Sequence, residues 1–577
     1  MDAYLDPAYS PERRAADLAG RMTVAEKAGL LFQPSTTPVG EAGRREAIDD
    51  VTVRLVSHFN VLDGEGSEEI ARWHNTLQEM AESTRLGIPV TLSSDPRHGF
   101  RSSPFTGQAL GSLSRWPETT GIAAIDEPGA AARFGETVRR EMLAMGVRVY
   151  LGPMADIYSE PRWSRGFGTF GEDPERVSAL TAEFIRALRG GAELGPDSVA
   201  AVVKHFPGAG PQKDGDDAHD ARYKEQVYPG GRQALHLRPF EAAFQAGATQ
   251  VMTYYGMPVG TDWDEVGFAF NEPVVQGLLR QRLGFGGIVV TDWNVIDAAH
   301  IGGMTFGPNG WGLEDRTPLE RLRIALNAGV DQFGGDRGTE LIEELVDSGE
   351  LPAKRLDASV IRLLTEKFRL GLFERRRVDP ARAGEICGAP DVTQLGLDAQ
   401  EKSLVLLKDG NAGGGIGSLV EGSAVYADGC TVPGGSGFVA VADPAAAEAI
   451  VVRLDAPFES GRGSMGDFFH GGSLAFPATT LEKLRGYAAS APVFAAVYLE
   501  RPAVLQPLLE IATVVVGEFG VGDDVLFGAL GGRTAFTGRL PFDIPSSMPA
   551  VEASREDVPF DTADPTFRAG YGLVSKT

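Results

Sequence analysis

Cysteine is nearly absent: Cys387 and Cys430 are the only two among 577 residues. Two thiols cannot build a disulfide framework or close a four-ligand zinc site, so both are read as buried thiols. Positive charge is also scarce, with 54 Lys and Arg against 79 Asp and Glu and a net charge of −25. A surface of that sign repels phosphate backbones, which argues against a nucleic-acid partner and fits a neutral substrate. Long apolar runs are missing: no stretch approaches the roughly 20 residues that cross a bilayer, so no membrane partner is expected. Met1 to Pro7 hold neither a basic start nor an apolar core, and the expected location is cytoplasmic. No metal-ligand spacing and no convincing phosphate loop is present, so neither a metal nor a cofactor is expected. The glycine-rich run from Gly410 to Gly417 lacks a following helix and reads as a loop.

What the chain does hold is a recurring pattern. Short, β-branched apolar runs end abruptly in polar or charged residues: 88–92 leads to Asp95, 147–151 to Asp156, and 199–203 to Lys204 and His205. Likewise 250–253 leads to Tyr254 and Tyr255, and 287–291 to Asp292 and Trp293. Helical stretches near 70–83, 130–145, 174–189, 239–246, 273–283 and 319–328 separate these runs, and 330–333 reads as a last strand. The fold class is therefore α/β, a TIM-like (β/α) barrel, whose active site lies at the carboxyl ends of its strands. A carboxylate just past such an end faces the open mouth, because the sheet cannot hold it unpaired.

Length argues for two domains. The segment from Phe373 to Pro380 is charged, ends in proline and has no apolar face, which marks a linker over 374–390. The barrel is assigned to 1–373. A smaller α/β sandwich is assigned to 391–577, with a helix at 394–403 and strands at 404–407, 449–454, 493–498 and 513–517.

The strand ends supply Asp95, Asp292, Lys204, His205, Arg162, Tyr255 and Trp293. Hydrogen-bonding groups beside an indole suit a sugar, whose hydroxyls need polar partners and whose CH face packs on an aromatic ring. Taken singly, Arg162 could instead tie loops through Glu160 or Glu172, and Trp293 could fill the core. As a set on one rim they point to function. A Schiff-base lysine at Lys204 is a competing class, opposed by neighbouring carboxylates that would raise its pKa. A non-catalytic sugar-binding protein is another.

At these positions the chain resembles glycoside hydrolase family 3, the β-glucosidase and β-xylosidase family. The matching segments are Asp95-Pro96-Arg97-His98-Gly99, Pro161-Arg162-Trp163, Thr169-Phe170-Gly171-Glu172-Asp173-Pro174 and Lys204-His205-Phe206-Pro207-Gly208. They continue with Met252 to Tyr255, Gly284 to Trp293, Lys402 to Lys408 and Gly538 to Phe542. The resemblance implies that Asp292 is the nucleophile and that Asp95, Arg162, Lys204, His205 and Tyr255 grip a non-reducing-end sugar. It implies that Trp293 flanks the next site, and that an α/β sandwich follows the barrel. In Ala456-Pro457-Phe458-Glu459 it makes Glu459, lent by the second domain, the acid/base. A hexosaminidase subgroup uses a His and Asp after Lys-His-Phe-Pro-Gly. Here Asp217-Ala218-His219 occupies that loop, with Ala218 and Ala209 where the subgroup has Ser and His, so His219 is read as a substrate-loop residue. The implied activity is exo-acting, retaining removal of a β-linked sugar, glucose first, with a xylosidase, hexosaminidase or phosphorylase as alternatives. The partner is a small carbohydrate, and a homodimer is compatible with the chain. Loops at 210–230 and 302–316, the latter with Trp311, are expected to set linkage and aglycone.

Overall fold

The computed structural model describes residues 2–62, 64, 66–101, 112–301, 304–410, 414–462 and 467–574. Eight parallel strands close on themselves in its first half. The first, β1, is two pieces either side of Pro34, Phe32–Gln33 and Ser35–Thr36. It is followed by β2 (His58–Val61), β3 (Thr91–Ser94), β4 (Val147–Tyr150), β5 (Ala200–Phe206), β6 (Gln250–Thr253), β7 (Ile288–Val290) and β8 (Phe333–Gly334). Neighbours pair in sequence order from β1 to β7. Closure comes from a Val290–Gln332 bridge and from the register Phe32 to Phe333 and Gln33 to Gly334.

Helices form where apolar spacing and caps coincide. Ser10 accepts from Arg13 N–H ahead of Pro11–Ala19, Asp173 caps Pro174–Arg189, and Thr317 and Glu320 form a capping box on Pro318–Ala328. Helix Ala130–Met145 stops at Gly146, whose φ is +81° and whose absent Cβ would lie 2.5 Å from the His74 ring. Within the strands, Val149, Leu151, Ala200, Val202, Met252 and Val290 form a small buried cluster on which Trp293 packs. This gives the mouth a solid floor.

β1 and β2 escape the sequence reading for a physical reason. Proline divides β1, and β2 alternates buried His58 and Asn60 with Phe59 and Val61, so neither is an apolar run.

The segment between the halves is a strap. His74 Nε2 meets the Arg376 carbonyl at 2.9 Å, and the Asn75 side chain exchanges two hydrogen bonds with Val378, at 2.8 and 3.0 Å. Helix Pro380–Ile386 then leads to Gly388, whose N–H donates to Glu141 at 2.6 Å. The same buried Glu141 carboxylate holds His98 at 2.8 Å and the Ser114 hydroxyl at 2.7 Å, so it also secures the loop that carries Asp95.

The second half is a six-stranded sheet: β9 (Val405–Lys408), β10 (Ala424–Asp428), β11 (Val439–Ala440), β12 (Ala449–Asp455), β13 (Val493–Tyr498) and β14 (Val514–Glu518). Its order is β9-β14-β13-β12-β10-β11, with β9 alone antiparallel. The weakly patterned β10 and the exposed β11 were not foreseen. The chain then returns to the barrel. Glu172 accepts from the N–H groups of Asp543 and Phe560 at 2.8 and 2.6 Å, and Asp557 accepts from Gly230 and Arg232 at 2.7 and 2.6 Å. Cys387 is buried and Cys430 half-buried, both as free thiols. Among the described residues no helix is long and apolar enough to cross a membrane.

Candidate active site

The strand ends converge on Asp292, just past β7. Its Oδ1 accepts the Trp293 N–H at 2.9 Å, while its buried Oδ2 has no hydrogen-bond partner among the described residues. His205 Nε2 stands 3.9 Å from that oxygen. The buried Tyr255 hydroxyl donates to the Trp293 carbonyl at 2.8 Å, holding the Trp293–Asn294 peptide in place beside Asp292. Trp293 lies over Gly334 and Gly335, where any Cβ would come within 2.8 and 2.7 Å of the ring, so only glycine lets the indole sit against β8.

Lys204 and Asp95, at the ends of β5 and β3, form an ion pair at 2.8 Å. His205 is fully buried, with Nδ1 2.9 Å from Asp156 and Nε2 2.9 Å from the Arg165 guanidinium. Burial, then the Arg165 charge, holds its pKa well below the usual imidazole range. Burial likewise raises Asp156 to about 6, against the N–H donors of Ala209 and His205.

The arginine of this pocket is Arg165, whereas the sequence reading named Arg162. Arg162 is spent on Glu160, at 2.8 and 2.9 Å, and on Asp214 at 3.3 Å. It ties loops together, as its alternative reading allowed. Arg165, three residues on and also buried, has Asp217 and Asp292 as charged neighbours, and its Nη1 is without a partner among the described residues. The second arginine of Pro161-Arg162-Trp163-Ser164-Arg165 was the only sequence signal for it.

The loop after β5 carries a second cluster. Asp217 accepts from His219 Nδ1 and, at 2.9 Å, from the His219 backbone N–H. Burial alone would raise Asp217, but His219 and then Arg165 outweigh it and hold the carboxyl below its ordinary value. The His219 ring packs edge-on against Tyr255 at 4.5 Å and stacks on Phe469 from the second half of the chain at 4.9 Å. Trp311, expected to set aglycone preference, is buried and donates its indole N–H to the Ala218 carbonyl at 2.8 Å. It therefore braces the Asp217–His219 loop. Residues 302 and 303 of that expected aglycone loop, and 411–413 of the glycine-rich run, lie outside the described residues.

The second half of the chain covers this rim. Arg462 donates to Asp216 at 2.7 Å, and its carbonyl accepts from Arg222 at 2.7 Å. The buried Arg501 joins the Pro457 carbonyl to the Arg162 carbonyl of the barrel. Glu459 lies on this covering loop, but its side chain is 56% exposed and its cationic neighbour Arg462 is 3.5 Å away.

A closed parallel barrel with an unpartnered carboxylate oxygen, polar hydroxyl-binding groups and an aromatic platform at its mouth defines a carbohydrate-active barrel enzyme. Comparison with known proteins gives the family. Residues 23–366 match the glycosyl hydrolase family 3 N-terminal domain. The chain is 41% identical to beta-glucosidase C of Emericella nidulans, over 99% of this chain and 94% of that protein. It is 38% identical to the periplasmic beta-glucosidase/beta-xylosidase of Dickeya chrysanthemi, over 99% and 91%. A solved b-glucosidase structure from Erythrobacter marinus shares the fold, with a TM-score of 0.79 at 22% identity, over 100% of this chain and 84% of that one. The chain belongs to glycosyl hydrolase family 3 and is a glycosidase.

Proposed function

We propose that this glycosidase is an exo-acting, retaining β-glucosidase. The carrying observation is Asp292 Oδ2: buried, without a hydrogen-bond partner among the described residues, beside the Arg165 cation and at the open end of the barrel. That oxygen attacks the anomeric carbon as the glycosidic C–O bond breaks and the aglycone oxygen takes a proton from the acid/base group; water, deprotonated by that same group, then displaces Asp292 from the glycosyl-enzyme with net retention. Asp95, Lys204, His205 and Arg165 take the glycone hydroxyls, and Trp293 takes its CH face or that of the next residue. Two relatives whose names include beta-glucosidase over nearly the full chain support glucose as the glycone. The Dickeya name supports xylose as second substrate, since one hydroxymethyl group is worth only about 1–3 kcal/mol of discrimination.

The proton donor this geometry supports best is His219. Asp217 stands behind it as the orienting carboxylate, and its ring lies against Tyr255 beside the nucleophile. Glu459 is the second reading, carried by its family motif and its place on the covering loop. Mass spectrometry after treatment with a 2-fluoro glucoside tests the core of the proposal. The label belongs on Asp292, and a label on any other residue refutes it. A panel of nitrophenyl β-glycosides ranks the glycones. A cytoplasmic location is part of the proposal, although the Dickeya relative is named periplasmic; fractionation of the native cells decides it.

A further inference from the structure

Asp156 is fully buried just beyond β4 and takes no part in the chemistry above. Its carboxylate is nonetheless fully engaged. Oδ1 accepts the N–H of Ala209 at 2.7 Å and of His205 at 3.1 Å, and Oδ2 meets His205 Nδ1 at 2.9 Å. An ionised carboxylate only accepts, so the ring hydrogen must sit on Nδ1 and the lone pair on Nε2. That lone pair meets a guanidinium N–H of Arg165 at 2.9 Å, which leaves Nη1 of the same group unpartnered among the described residues.

We propose that Asp156 is a positioning residue for the glycosidase. It fixes the His205 tautomer, His205 holds one arm of Arg165, and the other arm is thereby presented to the glycone beside Asp292. Through the Ala209 N–H the same carboxylate anchors the root of the loop that ends in Asp217 and His219. One buried group thus sets both the sugar grip and the dyad that covers it. The proposal rests on the glycosidase reading and deepens it.

Asp156→Asn is the test, at pH 7. An amide N–H opposite Nδ1 forces the hydrogen to Nε2, which then faces Arg165 donor to donor. A comparable tautomer error in a Ser-His-Asp triad lowers kcat by about 10⁴, and here the expected loss in kcat/KM on nitrophenyl β-glucoside is about 10²–10⁴-fold. The loss should fall mainly in kcat, with the melting temperature within a few degrees of wild type. Asn keeps an oxygen to accept the Ala209 N–H, so in a His205→Gln background the same change should add less than about twofold, because what it alters runs through the ring. Losses that multiply in the double variant would overturn the proposal, as would a wild-type rate in Asp156→Asn. Ring ¹⁵N resonances of the wild-type enzyme, assigned with His205→Gln, give a readout that survives a folding failure of the variant. A protonated Nδ1 with a bare Nε2 is expected from pH 6.5 to 8, and an Nε2–H ring or an imidazolium would overturn the assignment. If the wild-type enzyme cleaves no β-glycoside, the functional reading falls while the ring resonances still judge Asp156.

Discussion

Replacing His219 by Gln removes a ring held between Tyr255 and Phe469 and ends its contact with the buried Asp217. If that ring delivers the proton, the loss is that of a general acid, about 10²–10⁴-fold or some 2.7–5.5 kcal/mol at 1.36 per decade. The loss should depend on the leaving group. An alkyl glucoside or a disaccharide needs the proton and bears the full cost, whereas a dinitrophenolate leaves unaided and should stay within about tenfold of wild type. Asp217→Asn removes a charge-assisted hydrogen bond worth about 1.5–3 kcal/mol, so it should lie between the two at about 10–100-fold. Glu459→Gln alters a carboxylate that is 56% exposed and 3.5 Å from Arg462. An ion pair that exposed is worth about 0–1 kcal/mol, so its loss should stay below about fivefold for every leaving group. The assay is kcat/KM against leaving-group pKa for a series of aryl and alkyl β-glucosides with each variant. If the plot steepens for Glu459→Gln and stays flat for His219→Gln, the proton comes from the second domain and the His219 assignment is wrong.

Other outcomes follow from the same geometry. Asp292→Ala should abolish turnover with the fold intact, and azide should then yield the inverted glycosyl azide; a retained product would remove Asp292 from the nucleophile's role. Arg165→Lys should cost at least tenfold in kcat/KM because it loses the bond to His205 and the free arm. Arg162→Lys should mainly lower the melting temperature, and equal kinetic losses in the two variants would contradict their separation. Burial raises Glu172 to about 8, against 4.5 for an ordinary glutamate carboxyl, despite the Asp543 N–H. The folded state therefore binds the extra proton between those values, and stability should fall as pH rises from about 4.5 to 8. Calorimetry should show a shallower slope for Glu172→Gln, and an unchanged slope would refute the assignment. Asn75→Leu removes both hydrogen bonds to the strap, so turnover should drop before KM rises; a change confined to KM would mean that the strap does not set the domain packing.

Much of the fold was legible because its signals are local. Runs 147–151 and 250–253 fall on β4 and β6, and the expected helices at 130–145 and 174–189 match Ala130–Met145 and Pro174–Arg189. A strand buried on both faces is β-branched whatever surrounds it, and a helix shows its period and caps. That local signal is lost where a strand buries polar residues, as in β2, and where proline splits it, as in β1.

The residues by themselves determined that a carboxylate follows β7, that Lys204 and His205 lie in the last residues of β5, and that the barrel mouth binds something rich in hydroxyls. They could not determine which arginine reaches the pocket. That choice depends on where Glu160, Asp214 and His205 lie in space, and of the two arginines it is Arg165 that keeps an arm without a partner among the described residues. Nor could they foresee that Phe469 stacks on His219 across 250 residues of chain while the Glu459 side chain is 56% exposed. Partners so distant in sequence leave no periodic trace, because burial, charge and proton position at a site come from neighbours that only the folded chain brings together.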